Sequence, residues 1–466
     1  MTLSELRLVP AALTAWLATA VGLLTRSPGW ALVIVAAAAL IMVAVSGQSL
    51  LIGGIAGSIV AAADVRRRAA EAIELPRVIV GRLATHAPDT VARLRVPGLP
   101  DTLTVFTEEP VGLSAGTEVI ARVQYDAADH PGLIPVVAHG TLNTTGEPPH
   151  GWVHHVRTTF AEAVSTSVAG DHRGLIPGMV LGDTSLQPPA AADVYVATGL
   201  SHLSAVSGSN VAIITTTAVV LCRLLTLGPR AQVGAAGLAL TAFTLLVGPQ
   251  PSVLRAALTG LVGLVAVVAS SRMTPLHALS LAILVLLLVQ PGLAVDLAFA
   301  LSVSATAGIV CLSPLFSRVL WRALPSRRAH DSDDGSPGVV CRAIGVAVAA
   351  DVVTLPLIAL ATGEVSTVSI LANLLVAPVT APITVLGMVA AVVALLPGGA
   401  EAVLLVVVSP LSWWVHTVAT TLSALPFSTV PASTPVVALG YGWFVAGAWA
   451  LDLHHDFHRG APHSRR

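Results

Sequence analysis

Hydrogen-bonding side chains are concentrated where a hydrophobic segment begins, in GLSHLSAVSGSNVAII (residues 199–214). Small polar residues recur there every three positions: Ser201, Ser204, Ser207 and Asn210. On a helix this spacing predicts one polar stripe, which would be unfavourable against lipid. The stripe therefore favours either close helix packing through small polar residues or the lining of a polar pathway. A third hypothesis is chemical, with Ser207 as a nucleophile and His202 or another histidine as its base.

Further polar residues interrupt the apolar sequence on both sides of this cluster. They are Asp183 in GMVLGDTSLQPP (178–189), Ser252 and Arg255 in GPQPSVLRAALTG (248–260), and Asp296, Asp351 and Asn373 in later runs. A charge at mid-membrane costs about 2.5–3.5 kcal/mol, so such residues normally face a partner or a water-filled path. Arg255 has the alternative of snorkelling outward.

Prolines close to two of these polar residues predict broken helices. Pro356 follows Asp351 within about a turn, and Pro378 and Pro382 follow Asn373 in one overlong apolar run. Broken helices that carry polar residues are typical of a transport pathway.

The elements that must position these residues are membrane spans. Of the 466 residues, 55% are hydrophobic and 11% are charged, whereas soluble domains carry about 25% charged residues. Spans of about 20 apolar residues predict about twelve transmembrane helices, near 9–24, 30–45, 49–63, 203–224, 231–248, 254–270, 277–290, 293–314, 343–361, 366–396, 401–424 and 436–452.

Arginine placement predicts the orientation, because short cytoplasmic loops are enriched in basic residues. It predicts cytoplasmic N- and C-termini and an outer location for residues 64–202. Arg66, Arg67 and Arg68 conflict with this pattern. They predict either an amphipathic interfacial helix or a different threading of the first three spans.

Several functional classes are excluded by what the chain lacks. It contains no lysine, so it has neither a P-loop lysine nor a Schiff-base lysine. Its three cysteines have no framework spacing, so no disulfide scaffold, metal site or cofactor is predicted. Any energy-driven work must draw on nucleotide hydrolysis elsewhere.

A region with a different pattern of apolar and polar residues follows the third predicted span. RVIVGRLAT, VARLRV, TLTVFTE and EVIARVQYD alternate apolar and polar residues, which predicts short antiparallel strands and a small barrel of the OB type. Residues 77–150 contain five arginines against eight acidic residues, and the strands offer only Phe106 and Tyr125 as aromatic residues. A structural role and a nucleic-acid-binding role for the barrel are therefore both open.

The quoted cluster resembles the signature of the ComEC competence family, inner-membrane channels through which transformable bacteria take up single-stranded DNA. GMVLGDTSLQPP, PSVLRAALTG, HALSLAILVLLLVQPGLAVDLAFALSVSATAGI (277–309) and DVVTLPLIALATGEVSTVSILANLLVAPV (351–379) continue the match in the family's order. The resemblance implies a channel for single-stranded DNA and no enzymatic activity. Its expected pathway residues are Asp183, His202, Ser204, Ser207, Asn210, Ser252, Arg255, Asp351 and Asn373.

The resemblance also implies partners and a domain order. A cytoplasmic ATP-driven helicase or strand-binding protein would pull the strand, an outer receptor would deliver it, and a homo-oligomer is possible. The expected domains are 1–70 (first spans), 71–150 (OB-like barrel), 151–202 (connector with interfacial segments), 203–452 (channel domain) and 453–466 (basic tail). Many family members carry a metallo-β-lactamase-like domain with an H-x-H-x-D-H cluster. The tail HHDFHRGAPHSRR does not match that cluster, so nuclease activity is not expected.

Two alternatives to the channel stay open at this stage. A small-molecule secondary transporter would need a compact central site in place of a continuous path. An intramembrane serine hydrolase would need a histidine near Ser207, but His202 is five residues away and on a different helix face, which leaves His277 or His416 as the base.

Overall fold

The protein is mainly helical, with one small β-barrel near its N-terminus. A computed structural model describes residues 8–45, 49–84, 87, 90–113, 116–128, 132–145, 151–204, 206, 208–248, 251–268, 274–323 and 338–459. The helices are α1 (Val9–Thr25), α2 (Pro28–Val45), α3 (Ser49–Glu71), α4 (Trp152–Ser167), α5 (Leu175–Leu181), α6 (Pro189–Ala197), α7 (Gly208–Leu224), α8 (Pro229–Val247), α9 (Pro251–Val268), α10 (Pro275–Val289), α11 (Leu297–Ala323), α12 (Val339–Thr362), α13 (Ser369–Val393), α14 (Glu401–Ser423) and α15 (Thr434–Arg459).

Six helices in the described part of the chain are long and apolar enough to cross a membrane: α8, α11, α12, α13, α14 and α15. Shorter apolar stretches lie in α1, α2, α7, α9 and α10. The chain is therefore a multi-pass helical membrane protein, and the count of twelve spans stays a prediction. Proline stands in the first turn of α1, α6, α8 and α10, where its missing N–H removes no helical hydrogen bond.

The segments that were predicted to be broken at proline are continuous helices. Pro356 lies inside α12, and Pro378 and Pro382 lie inside α13. A proline removes one backbone hydrogen bond but does not end a helix whose neighbours supply other donors. Pro378 leaves the carbonyl of Leu374 without its helical donor, and the indole Nε1 of Trp414 donates to the adjacent carbonyl, that of Leu375, at 3.0 Å.

The barrel contains five strands: β1 (Val78–Leu83), β2 (Val91–Arg95), β3 (Leu103–Phe106), β4 (Glu118–Ala127) and β5 (Val136–Thr144). It is closed in the order β1-β2-β3-β5-β4, with β3 and β5 parallel and the other pairs antiparallel. Buried and exposed residues alternate along β1 and β2, as the sequence alternation predicted. The inward side chains form an apolar core that includes Leu94, Leu103 and Val119.

The barrel packs on a short 3₁₀ turn, Pro291–Val295, that follows α10. The Asp101 carboxylate, in the β2–β3 loop, occupies the space of a Cβ at Gly292, and the Leu133 side chain, in the β4–β5 loop, lies in van der Waals contact with that position. One carboxylate oxygen of Asp101 accepts the N–H of Thr102 at 2.7 Å. Burial raises the pKa of Asp101, and the negative charge of Asp296 adds to this rise.

The side chains of the arginine triplet that conflicted with the predicted orientation contact α10 and acidic residues of α3. Arg66 donates to the carbonyls of Leu288 and Val289 at 2.8 and 2.5 Å, at the C-terminal end of α10. Arg67 and Arg68 both pair with Asp64, at 2.7 and 2.8 Å. Arg66 therefore caps a neighbouring helix, because cations are favourable at helix C-termini, whereas Arg67 and Arg68 form ion pairs within α3.

The described chain divides into two compact units. Unit 1 comprises Met1–Gln187, Leu203–Phe299 and Ile383–Pro410. Unit 2 comprises Pro188–His202, Ala300–Pro382 and Leu411–Arg466. The two units are described separately below.

Candidate functional site

The polar cluster that begins at residue 199 does not form one helix. Gly199 has a positive φ of 71°, a 3₁₀ turn covers Ser201–Leu203, and α7 begins only at Gly208. The predicted stripe of Ser201, Ser204, Ser207 and Asn210 is therefore wrong as a helical feature. The physical reason is that serine side chains compete for backbone hydrogen bonds and favour turns. Ser207 lies outside the described residues.

Asn210 is buried in unit 1, and its side chain holds the end of α5. Its amide Nδ2 donates to the carbonyl of Met179 at 2.8 Å. The helical partner of that carbonyl would be the N–H of Asp183, which bonds to Pro177 at 3.2 Å. The Met179 carbonyl is thus one of the orphan acceptors that every helix end leaves. Asn210 supplies the missing donor, from 31 residues further along the chain.

Arg255, in α9, is also buried in unit 1, with 6% of its surface exposed. This excludes the outward snorkelling that the sequence left open. Its guanidinium lies at the first residue of α7, because a Cβ built on Gly208 would stand 2.7 Å from its Nη2. A side chain at this position would displace the guanidinium. A guanidinium beside a helix N-terminus creates positive potential from both groups.

Asp183 and Ser204 lie near α5 in the same unit. An Oδ1 atom of Asp183 accepts the N–H of Ser185 at 3.0 Å. Burial lowers the pKa of Arg157, and the charge of Asp183 partly opposes this shift. The hydroxyl of Ser204 is buried and makes no hydrogen bond among the described residues. Its backbone carbonyl faces Gly178, 3.1 Å from the position that a Cβ would take there.

Asp351 is the centre of a hydrogen-bonded group in unit 2. Its carboxylate accepts the hydroxyl of Ser369 at 2.7 Å and the hydroxyl of Tyr441 at 3.3 Å. Ser369 is the first residue of α13, so the carboxylate lies at the positive end of that helix. Asn373 donates its amide to the Ser369 carbonyl at 3.0 Å. Asp351 and Asn373 both contact the first turn of α13.

The structure separates the predicted pathway residues into two sets. Asp183, Ser204, Asn210 and Arg255 lie in unit 1, whereas His202, Asp351 and Asn373 lie in unit 2. The ring nitrogen Nδ1 of the exposed His202 is 3.0 Å from the Gly199 carbonyl. Ser252 lies in the first turn of α9, and its side chain is outside the described part. Because Ser207, its proposed nucleophile, lies outside the described residues, the serine hydrolase alternative stays an untested prediction.

Sequence reasoning missed the partners that hold unit 2 together. The Tyr195 hydroxyl is 3.0 Å from Nδ1 of His416, and Tyr195 is fully buried in α6. Ser369 and Tyr441 were also not predicted. The signal was available, because the chain has only three tyrosines and a buried tyrosine hydroxyl normally needs a partner.

Comparison with known families identifies the chain. The family model described as Competence protein matches residues 179–456, more than half of the 466 residues. The match begins in α5 and ends in α15, so it includes Asp183, Asn210, Arg255 and Asp351. Comparison with curated proteins and with solved structures gave no match. The family model nevertheless suffices, and the chain belongs to the competence protein family.

Proposed function

We propose that this protein is an inner-membrane channel that conducts single-stranded DNA into the cytoplasm during natural transformation. Membership of the competence family and the multi-pass helical architecture support this proposal. Transport through the membrane requires no covalent chemistry, and the proposal contains no catalytic step.

The observation that carries the proposal is the position of Arg255. A buried guanidinium at the N-terminus of α7 combines a full positive charge with the partial charge of the helix end. Both favour an anion, and phosphate is the anion that helix N-termini and arginine commonly bind. Arg255 is the residue we expect to meet the backbone of the passing strand.

The predicted pathway residues of unit 2 support the channel in another way. The carboxylate of Asp351 would repel phosphate if it faced the strand. Its contacts with Ser369 and Tyr441 favour a positioning role, in which Asp351 and Asn373 fix the start of α13. We therefore propose direct DNA contact for Ser204, Asn210 and Arg255 of the first set, and support of the channel wall for Asp183 and for the second set.

The energy of transport calls for partners. Each phosphate that enters a cell with a negative interior moves against about 2.3 kcal/mol per 100 mV. The lysine-free chain has no P-loop to supply this work. We propose that a cytoplasmic ATP-driven helicase or strand-binding protein pulls the strand and that an extracytoplasmic receptor delivers it.

We propose further that the barrel is an OB-like domain on the outer side and that both termini are cytoplasmic. A closed five-stranded barrel with one parallel pair between β3 and β5 fits the OB architecture. The arginine-rich segment near residues 318–342 fits a cytoplasmic location. About twelve spans and the domain order given above complete the proposal.

The test is Arg255→Gln, with uptake of labelled single-stranded DNA measured in cells that depend on this protein. Loss of the phosphate contact should lower uptake about ten-fold or more at equal abundance, and the salt dependence of DNA binding should become weaker. Arg230→Gln is the matched control, because Arg230 is exposed in the first turn of α8. Unchanged uptake with Arg255→Gln would show that Arg255 does not contact the DNA, and the proposal would lose its main support. Full uptake in cells without the protein would reject the function itself.

A further inference from the structure

Helix α5 is too short to cross a membrane and has no face for lipid. Its seven residues, LIPGMVL, are all buried and all apolar or glycine. Seven residues extend about 10 Å, a third of the roughly 30 Å hydrocarbon core. A helix that is hydrophobic all round must be enclosed by protein.

The contacts of α5 place it beside candidate membrane helices of unit 1. The side chain of Val180 fills the space that a Cβ would need at Gly387 of α13. Gly387 stands six residues before Val393, the last residue of α13, which is about 9 Å inside the helix end. Non-spanning backbone at this depth is tolerated only where protein or a water-filled cavity surrounds it.

The same short helix touches residues that the channel needs. Met179 receives the Asn210 amide, and Gly178 faces the backbone of Ser204. An apolar element packed among the polar residues of a pathway resembles the hydrophobic constrictions that gate channels. A DNA channel that stayed open at rest would let small ions through.

The attachments of α5 allow it to leave as one piece. Gly170 and Gly182, on either side of the segment, both have positive φ, at 89° and 69°. Such glycines can absorb the backbone rotations of a hinge. Close approaches at Gly178 and Gly387 hold α5 in place, with the Val180 side chain set into the space at Gly387. The Asn210 amide adds a side-chain hydrogen bond to the backbone of α5.

From these contacts we infer that α5 is a plug, which closes the channel at rest and moves aside when DNA passes. This inference rests on the proposed function as a channel. The inference gives Asn210 a defined role, since the hydrogen bond from its amide to the Met179 carbonyl stabilises the closed position of the plug. Ser204, whose backbone faces Gly178, and Asn210 then form part of the surface on which the plug rests.

A reversible cross-link tests the movement. A Cβ built on Gly387 is 3.7 Å from the Cβ of Val180, within the range of about 3.5–4.5 Å that a disulfide requires. The pair Val180→Cys and Gly387→Cys is introduced after Cys222, Cys311 and Cys341 have been changed to alanine. Oxidation should lower uptake of labelled single-stranded DNA at least ten-fold, and a reductant should restore it.

A second cross-link controls for general stiffening of unit 1. Gly22→Cys with Ala31→Cys joins α1 to α2, where a Cβ on Gly22 lies 3.2 Å from the Ala31 Cβ, so the two helices must separate slightly to reach the disulfide range. This bridge should leave uptake unchanged. Uptake that continues with the α5 bridge fully formed overturns the plug while leaving the channel intact. Full uptake in cells without the protein would instead reject the channel, and the plug with it.

Ion leak gives an independent measurement that needs no DNA. Purified protein in liposomes should hold K⁺, whereas Asn210→Ala should raise K⁺ efflux about five-fold, the shift expected for loss of one ordinary hydrogen bond. The α5 disulfide in the Asn210→Ala background should suppress that efflux. Efflux that equals the wild type in a folded Asn210→Ala protein, or that persists with the disulfide formed, contradicts the plug.

Discussion

Removing the Ser369 hydroxyl should destabilise the protein more than removing the Tyr441 hydroxyl, although both donate to Asp351. The Ser369 bond is 2.7 Å long, the usual length for a strong O–H···O bond, whereas the Tyr441 bond is 3.3 Å and beyond the normal range. A hydrogen bond to a charged group contributes about 1.5–3 kcal/mol, and a neutral or poorly formed one about 1 kcal/mol or less.

Ser369→Ala is therefore expected to lower the free energy of unfolding by about 1.5–3 kcal/mol. It keeps the Cβ that packs on Gly199, so the loss reports on the hydroxyl. Tyr441→Phe should cost about 1 kcal/mol or less. The assay is unfolding of the purified protein in detergent micelles, with single and double variants compared in a double-mutant cycle.

A triple variant makes the reasoning refutable. Ser369→Ala with Tyr441→Phe leaves a buried carboxylate without either donor, and the further change Asp351→Leu should recover part of the loss because it removes the unsatisfied group. Equal effects of the two single variants would contradict the difference in bond length. A triple variant that is less stable than the double variant would show that Asp351 is not stabilised through these hydroxyls.

Three other predictions concern orientation, pH and helix capping. In a cysteine-free background, Gln124→Cys in the barrel should react with an impermeant thiol reagent in intact cells and Val339→Cys should not; the reverse pattern would contradict the predicted orientation. The pKa of Asp101 is raised from the ordinary 3.8 of an aspartate by burial, so the folded protein holds this proton more tightly than the unfolded chain, and stability falls as pH rises through the raised pKa. Asp101→Asn should remove that fall, and an identical pH profile in the variant would exclude Asp101 as its source. Arg157 donates to the carbonyls at the end of α8, at 2.8 Å to Leu246, so Arg157→Ala should destabilise the protein by about 1–3 kcal/mol in the same unfolding assay, whereas Arg173→Ala, which changes an exposed arginine, should have little effect.

The features predicted correctly from the sequence are those encoded over short distances. Alternation at period two identified β1 to β4 because neighbouring residues of a strand point to opposite faces. Uninterrupted apolar runs identified the candidate spans. The signature around residues 199–214 predicted the family, which the match over residues 179–456 confirmed.

Local patterns were least reliable where the backbone changes direction. The three-residue spacing from Ser201 to Asn210 predicted a helical stripe, but a left-handed Gly199 and a 3₁₀ turn delay α7 until Gly208. The prolines in α12 and α13 predicted breaks that the structure does not contain. In both cases, the intrinsic preference of the residues for or against a helix is weak, and tertiary contacts outweigh it.

By itself, the sequence determined the membrane environment, the strands of the barrel, the family and the polar residues that required an explanation. Only the tertiary structure decided which partner each polar group has. Asn210 bonds to a carbonyl 31 residues away, Tyr441 to a carboxylate 90 residues away, and Arg66 to a helix end 222 residues away. Periodicity is a property of consecutive residues and can be read from them. A hydrogen bond between distant segments depends on how whole helices pack, because burial makes every polar group find whichever partner the packing brings within reach.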